Sequence, residues 1–112
     1  MINHELLKVK RGSITIAYHE TKNYISFSDK ALELLGNPKC ISVRLTDEYL
    51  IISASSEGYA IESVENRKIV KCTWLIKEIV KHFSLDKNKK YFVCSNIKAI
   101  DGKEKTIAVK IK

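Results

Sequence analysis

The chain has 112 residues, with 20 Lys and Arg against 13 Asp and Glu, for a formal net charge of +7. Hydrophobic residues at 45%, charged residues at 29%, four Gly and one Pro make a globular balance, which excludes a wholly disordered or collagen-like chain. No apolar stretch approaches the roughly 20 residues of a membrane-spanning helix, and residues 1–10 hold no apolar core of signal-peptide length, so one soluble cytoplasmic domain over 1–112 with no membrane partner is expected.

Taken in chain order, residues 13–18 alternate, with Ile14, Ile16 and Tyr18 on one side and Ser13, Thr15 and Ala17 on the other, which predicts a half-buried strand. After a polar turn at 20–23, residues 24–27 read as a second short strand with Ile25 and Phe27 facing one way. Ser28 suits a helix N-cap, because its hydroxyl accepts from an otherwise unpaired backbone N–H. A short helix over 29–35 follows, stopped by Gly36 and the Asn37-Pro38 pair. Residues 40–45 and 49–54 read as a hairpin, residues 55–58 as a linker and residues 59–64 as one short strand.

Residues 68–72 are strand-like and Thr73 is a candidate N-cap. Trp74, Leu75, Ile76, Ile79, Val80 and Phe83 then fall at helical spacing opposite Lys77, Glu78, Lys81 and His82, giving the strongest amphipathic helix in the chain, with Trp74 expected at the edge of the core in preference to a stacking platform for a base. A charged loop at 86–90 leads to strands over 91–100 and 105–111, joined at Asp101-Gly102, a pair suited to a tight hairpin turn.

The order strand, short helix, strand, turn, strand thus occurs twice, over 24–55 and over 68–111. The expected fold class is α+β and mainly β, two β-α-β-β units within one chain. The three cysteines, Cys40, Cys72 and Cys94, are an odd number at wide spacing, which is neither a disulfide framework nor a zinc pattern; Cys40 and Cys94 are expected as buried thiols. No cysteine pairs with a histidine at ligand spacing, His82 is expected as a solvated surface residue, and no phosphate loop or catalytic triad order is visible. No metal, no cofactor and no enzymatic activity are expected.

The charge is unevenly placed. Residues 1–65 hold 7 basic and 9 acidic residues, whereas residues 66–112 hold 13 basic and 4 acidic ones. Such asymmetry marks a candidate polyanion face, and the residues expected to form it are Arg67, Lys68, Lys71, Lys77, Lys81, Lys87, Lys89 and Lys90. Lys77 and Lys81 lie four apart and project together from one helix face, which reads as a solvated face or, functionally, as a phosphate clamp with the 86–90 loop. Of the 20 cations 17 are Lys, which meets phosphate as a point charge and lacks the fork with which Arg reads guanine, so backbone contact is expected over base reading. The same Lys excess is also what an A+T-rich coding sequence produces.

The run Tyr24-Ile25-Ser26-Phe27-Ser28-Asp29-Lys30-Ala31-Leu32-Glu33-Leu34-Leu35-Gly36, followed by Ile41-Ser42-Val43-Arg44-Leu45 and Leu50-Ile51-Ile52, resembles the AbrB/MazE type of module over about 30 residues. That resemblance implies a swapped-hairpin barrel, normally built by two copies and here a pseudo-twofold barrel within one chain, and DNA binding as a regulator or antitoxin. Ile25-Ser26-Phe27-Ser28 with Leu34-Leu35-Gly36-Asn37-Pro38 also resembles small phage proteins of low-G+C Gram-positive bacteria, which implies a mobile-element origin. Where the AbrB pattern has Arg before the first strand's apolar pair and basic residues in the helix, this chain has Tyr24, Leu32 and Glu33, so those DNA contacts do not carry over. The expected function is a small phage-type DNA-binding regulator, a monomer or homodimer that contacts nucleic-acid backbone through its Lys-rich second half. The alternative is a phage interaction or counter-defence protein that binds a host protein or a nucleotide signal and no DNA.

Overall fold

Residues 12–100 and 105–111 are described in a computed structural model of the chain. Strands β1 (Ile14–Tyr18) and β2 (Asn23–Phe27) form the first antiparallel hairpin, with Ile16 opposite Ile25. Alternation does what the sequence predicts: Ile14, Ile16, Ile25 and Phe27 enter the main core, and Ala17 and Tyr24 turn to the opposite face. Helix α1 (Asp29–Leu34) begins at the predicted cap. Ser28 Oγ accepts from Ala31 N at 3.2 Å and from Ser13 N at 2.9 Å, so one hydroxyl both starts the helix and ties it to the entry of β1. The helix closes at Leu35, and Gly36 follows at φ 77°.

Strands β3 (Cys40–Leu45) and β4 (Tyr49–Ser55) form the predicted hairpin. Residues 55–58 do not act as a linker between separate units. They are a tight turn, held by bonds between Ser55 and Glu57, that returns the chain to the edge of β3. Gly58 sits there at φ 137°, and a Cβ on it would lie 2.4 Å from the Ile41 carbonyl oxygen. Gly58→Ala is therefore expected to cost about 2–3 kcal/mol, because the strained φ and the backbone collision must both be relieved. A urea melt reads this directly, and an unchanged midpoint would contradict the close crossing.

The predicted strand at 59–64 is two strands, β5 (Tyr59–Ala60) and β6 (Glu62–Val64), in different sheets. Likewise 91–100 is not continuous: β8 (Tyr91–Cys94) belongs to one sheet and β9 (Ile97–Ile100) to the other. The physical reason is a change of parity. Phe92 and Cys94 pack inward from even positions and Ile97 from an odd one, so a single pleated strand cannot bury all three. Between these two crossings, β7 (Arg67–Lys71) pairs with β6 through a two-residue turn, Glu65 and Asn66, both at positive φ.

Helix α2 (Thr73–His82) follows β7, and its N-cap is Cys72, not Thr73. Lys71 is still paired with Tyr24, so Cys72 is the residue that turns the chain, and it supplies no side-chain cap. The last strand is β10 (Thr106–Lys110); the Asp101-Gly102 turn lies outside the described residues.

The strands make two antiparallel five-stranded sheets, ordered β6-β7-β2-β1-β8 and β5-β3-β4-β10-β9. No strand pairing among the described residues joins the two. Their inner faces share one core: Ile14, Ile16, Ile25, Phe27 and Val70 come from the first, and Ile41, Leu50, Ile52, Ile107 and Val109 from the second. Ala31, Leu32 and Leu35 of the α1 segment, and Leu75, Ile76, Ile79, Val80 and Phe83 of the α2 segment, complete it. The fold is thus mainly β. After α1 the chain passes to the second sheet, but after α2 it returns to the first as β8 before crossing over. What recurs is hairpin, helix, hairpin: β1β2-α1-β3β4 and then β6β7-α2-β9β10, with the antiparallel pairs β2–β7 and β4–β10 at the middle.

Candidate anion-binding clefts

Two shallow clefts adjoin beside the β1–β2 turn and the start of α2. The first, of about 450 Å³, is lined by Lys22 from the β1–β2 turn and by Arg67 and Lys71 from β7, with Glu65 as its carboxylate. The β2–β7 ladder sets this up, since it places Lys71 opposite Tyr24. Arg67 is fixed in place: its guanidinium lies 5.4 Å from the centre of the Tyr24 ring, and Nη1 donates to Tyr24 Oη at 3.2 Å.

The second cleft, of about 480 Å³, is lined by Lys77 from α2 and by Lys87 and Lys90 from the loop before β8, with Glu20 as its carboxylate. Asp86 shapes that loop. Its Oδ1 accepts from Asn88 N at 2.9 Å and its carbonyl accepts from Lys89 N at 3.0 Å. The Lys90 carbonyl is anchored by Tyr18 N at 2.9 Å. His19 also lines this cleft; its Nε2 is buried with no hydrogen-bond partner, and its ring meets Tyr91 edge-on at 4.7 Å.

Asn23 and Thr73 line both clefts, so the six cations border one continuous depression. Thr73 is also the first residue of α2, a helix with no side-chain cap and no acidic residue in its first turn. Its partial positive charge therefore adds to the field of the lysines.

Of the eight basic residues singled out from the sequence, Arg67, Lys71, Lys77, Lys87 and Lys90 are brought together here. The other three are not. The Lys68 ammonium donates to Ser63 Oγ across the β6–β7 hairpin. Lys81 projects from α2 but lines neither cleft, so of the two readings of the Lys77–Lys81 pair the clamp on the loop is not formed. Lys89 lies 5.7 Å from the Phe92 ring centre and faces a third depression, where Lys110 is paired with Glu48 at 3.1 Å. That carboxylate, by hydrogen bond and charge, holds the Lys110 ammonium above its usual range and occupies it. Lys22 was missed by the sequence reading because it sits in the near-neutral first half, and only pairing between distant strands brings it to Arg67.

Trp74 is the clearest departure. It is not at the edge of the core but 65% exposed. At about 100° per residue, the nine residues from Trp74 to Phe83 put the two aromatics half a turn apart, and Phe83 is the buried one. His82 is exposed as expected, and its Nε2 lies 2.7 Å from the Thr46 carbonyl oxygen, which accepts the bond. All three thiols are half-buried, not fully buried as expected of Cys40 and Cys94, because both lie on the end or edge of a sheet. Burial still pushes the Cys94 thiol up, against the opposing charge of Lys89.

Among the described residues, no group of three His, Cys, Asp or Glu could hold a metal ion, and no helix is long and apolar enough to cross a membrane. No protein-family profile, curated protein or solved structure matches the chain.

Proposed function

We propose that the chain binds nucleic acid through its sugar-phosphate backbone, along the depression formed by the two adjoining clefts. One observation carries this reading: Lys22, Arg67, Lys71, Lys77, Lys87 and Lys90 line a single continuous surface that contains only Glu20 and Glu65 as carboxylates. Five of these six cations are lysines, and Arg67 is already committed to Tyr24, so the surface offers charge without a free fork for reading base edges. A small regulator of the phage type is the role that fits such binding. The repeated hairpin, helix, hairpin order, with β2–β7 and β4–β10 at the middle, supports a pseudo-twofold, AbrB-like arrangement within one chain.

A mobility-shift titration between about 50 and 200 mM salt tests it, with single-stranded and duplex oligonucleotides in parallel. Log affinity is expected to fall linearly with log salt, with a slope of about −4 to −5 if all six cations meet phosphates. No shift at the lowest salt overturns the proposal. A nucleotide signal is the second reading, favoured by the volume of about 480 Å³, which suits a small phosphorylated ligand. In the same assay it predicts that a mononucleotide binds and an oligonucleotide does not.

A further inference from the structure

We infer that the nucleic acid is single-stranded, with a base stacked on Trp74 while its phosphates occupy the Lys77, Lys87 and Lys90 cleft. This rests on the nucleic-acid reading above and goes further by naming the form of the ligand.

The indole is the largest exposed apolar group on α2, at 65% exposure. It contributes nothing to the core, and among the described residues it makes no hydrogen bond, ring contact or cation–π contact. It lines neither cleft itself, but it adjoins the second one along the helix, since its chain neighbour Thr73 and Lys77 one turn later both line that cleft. Tyr91, itself 48% exposed, meets the ring of His19, a lining residue of that cleft, edge-on. An exposed aromatic beside a row of lysines is the combination by which proteins hold unpaired strands, because every base offers a π-face and the backbone follows the charge. A duplex keeps its bases stacked inside, so it presents no face to an indole at this place. The absence of a free Arg fork along the surface points the same way, since groove reading needs donors matched to base edges.

Trp74 is the sole tryptophan of the chain, so indole fluorescence reports this site alone. The test titrates the full chain with oligothymidylate of about 12 nucleotides, with a duplex of the same length, and with heparin as a polyanion that has no bases. Quenching by the single strand is expected, with little response to duplex or heparin. Trp74→Leu is expected to lose about five- to 150-fold in single-strand affinity, the range for one base–aromatic stack, with an unchanged melting temperature and an unchanged salt slope. Trp74→Phe should recover part of that loss. The inference is overturned if the single strand shifts in the gel without quenching the indole, if duplex or heparin binds as tightly, or if Trp74→Leu binds as well as the parent. If no nucleic acid binds at low salt, the nucleic-acid reading itself fails, which is a distinct result.

Discussion

Phe83→Ala is expected to lower stability by about 3–5 kcal/mol, while Trp74→Ala, on the same helix, is expected to change it by less than about 0.5 kcal/mol. Phe83 is 1% exposed and is the largest of the fully buried side chains. It closes α2 as the C-cap, with its N–H donating to the Ile79 carbonyl at 3.1 Å, so its ring is locked under the last turn where the helix meets the core. Truncation removes the whole ring and leaves a cavity in the shared core, which adds to the lost burial. For a domain of this size the loss corresponds to a drop in melting temperature on the order of 15 °C. Trp74 has no such neighbours to lose. Thermal melts of the two variants beside the parent decide the matter: comparable losses would mean that α2 is rotated from the orientation described.

That contrast also shows where sequence reading succeeds and where it stops. Ile14, Ile16, Ile25 and Phe27 alternate cleanly, Ser28 offers a hydroxyl at the start of a helix, and Gly36 takes a positive φ at its end. Each is a local rule with a local cause, and each is met in the structure. Trp74 was legible in principle. Counting apolar residues put it with Leu75 and Ile76, whereas the angular position, half a turn from Phe83, already placed it outside. The split of 91–100 into β8 and β9 was legible too, as the shift of inward residues from Phe92 and Cys94 to Ile97. The sheet to which each half belongs was not, because that depends on pairings such as Ile14 with Cys94 and Val109 with Ile97, between residues far apart in the chain or across a turn.

The candidate site divides in the same way. An excess of charge after residue 66 is visible in composition, and it points toward the right part of the chain. Which lysines share a surface is not visible there. Lys87 and Lys90 turn to the cleft of Lys77 because Asp86 folds the loop and Tyr18 pins its end, while Lys89, between them, is turned away toward Phe92. Lys22 joins Arg67 only through the β2–β7 ladder. Net charge is a sum, and summing discards the arrangement on which binding depends.

Arrangement and sum can be separated by experiment. The triple variant Lys77→Ala, Lys87→Ala, Lys90→Ala strips one cleft of its cations, whereas Lys68→Ala, Lys89→Ala, Lys98→Ala removes the same number of charges from residues that line neither cleft. All six side chains are on exposed residues, so both proteins are expected to fold with near-parent stability. Long-range attraction of a polyanion is weakened equally in the two, because it follows total charge and is screened over about 10 Å at moderate salt. Direct phosphate contact is not. The first variant is expected to reduce the log–log salt slope for single strands by about 2, from three lost contacts at about 0.7 each, and to weaken low-salt affinity on the order of 100-fold. The second is expected to keep the parent's slope and to lose only a few-fold, through the field alone. Equal losses with equal slopes would show that the lysines act as undirected charge, of the kind an A+T-rich coding sequence supplies by itself. The adjoining clefts would then be a feature of the surface without a ligand of their own.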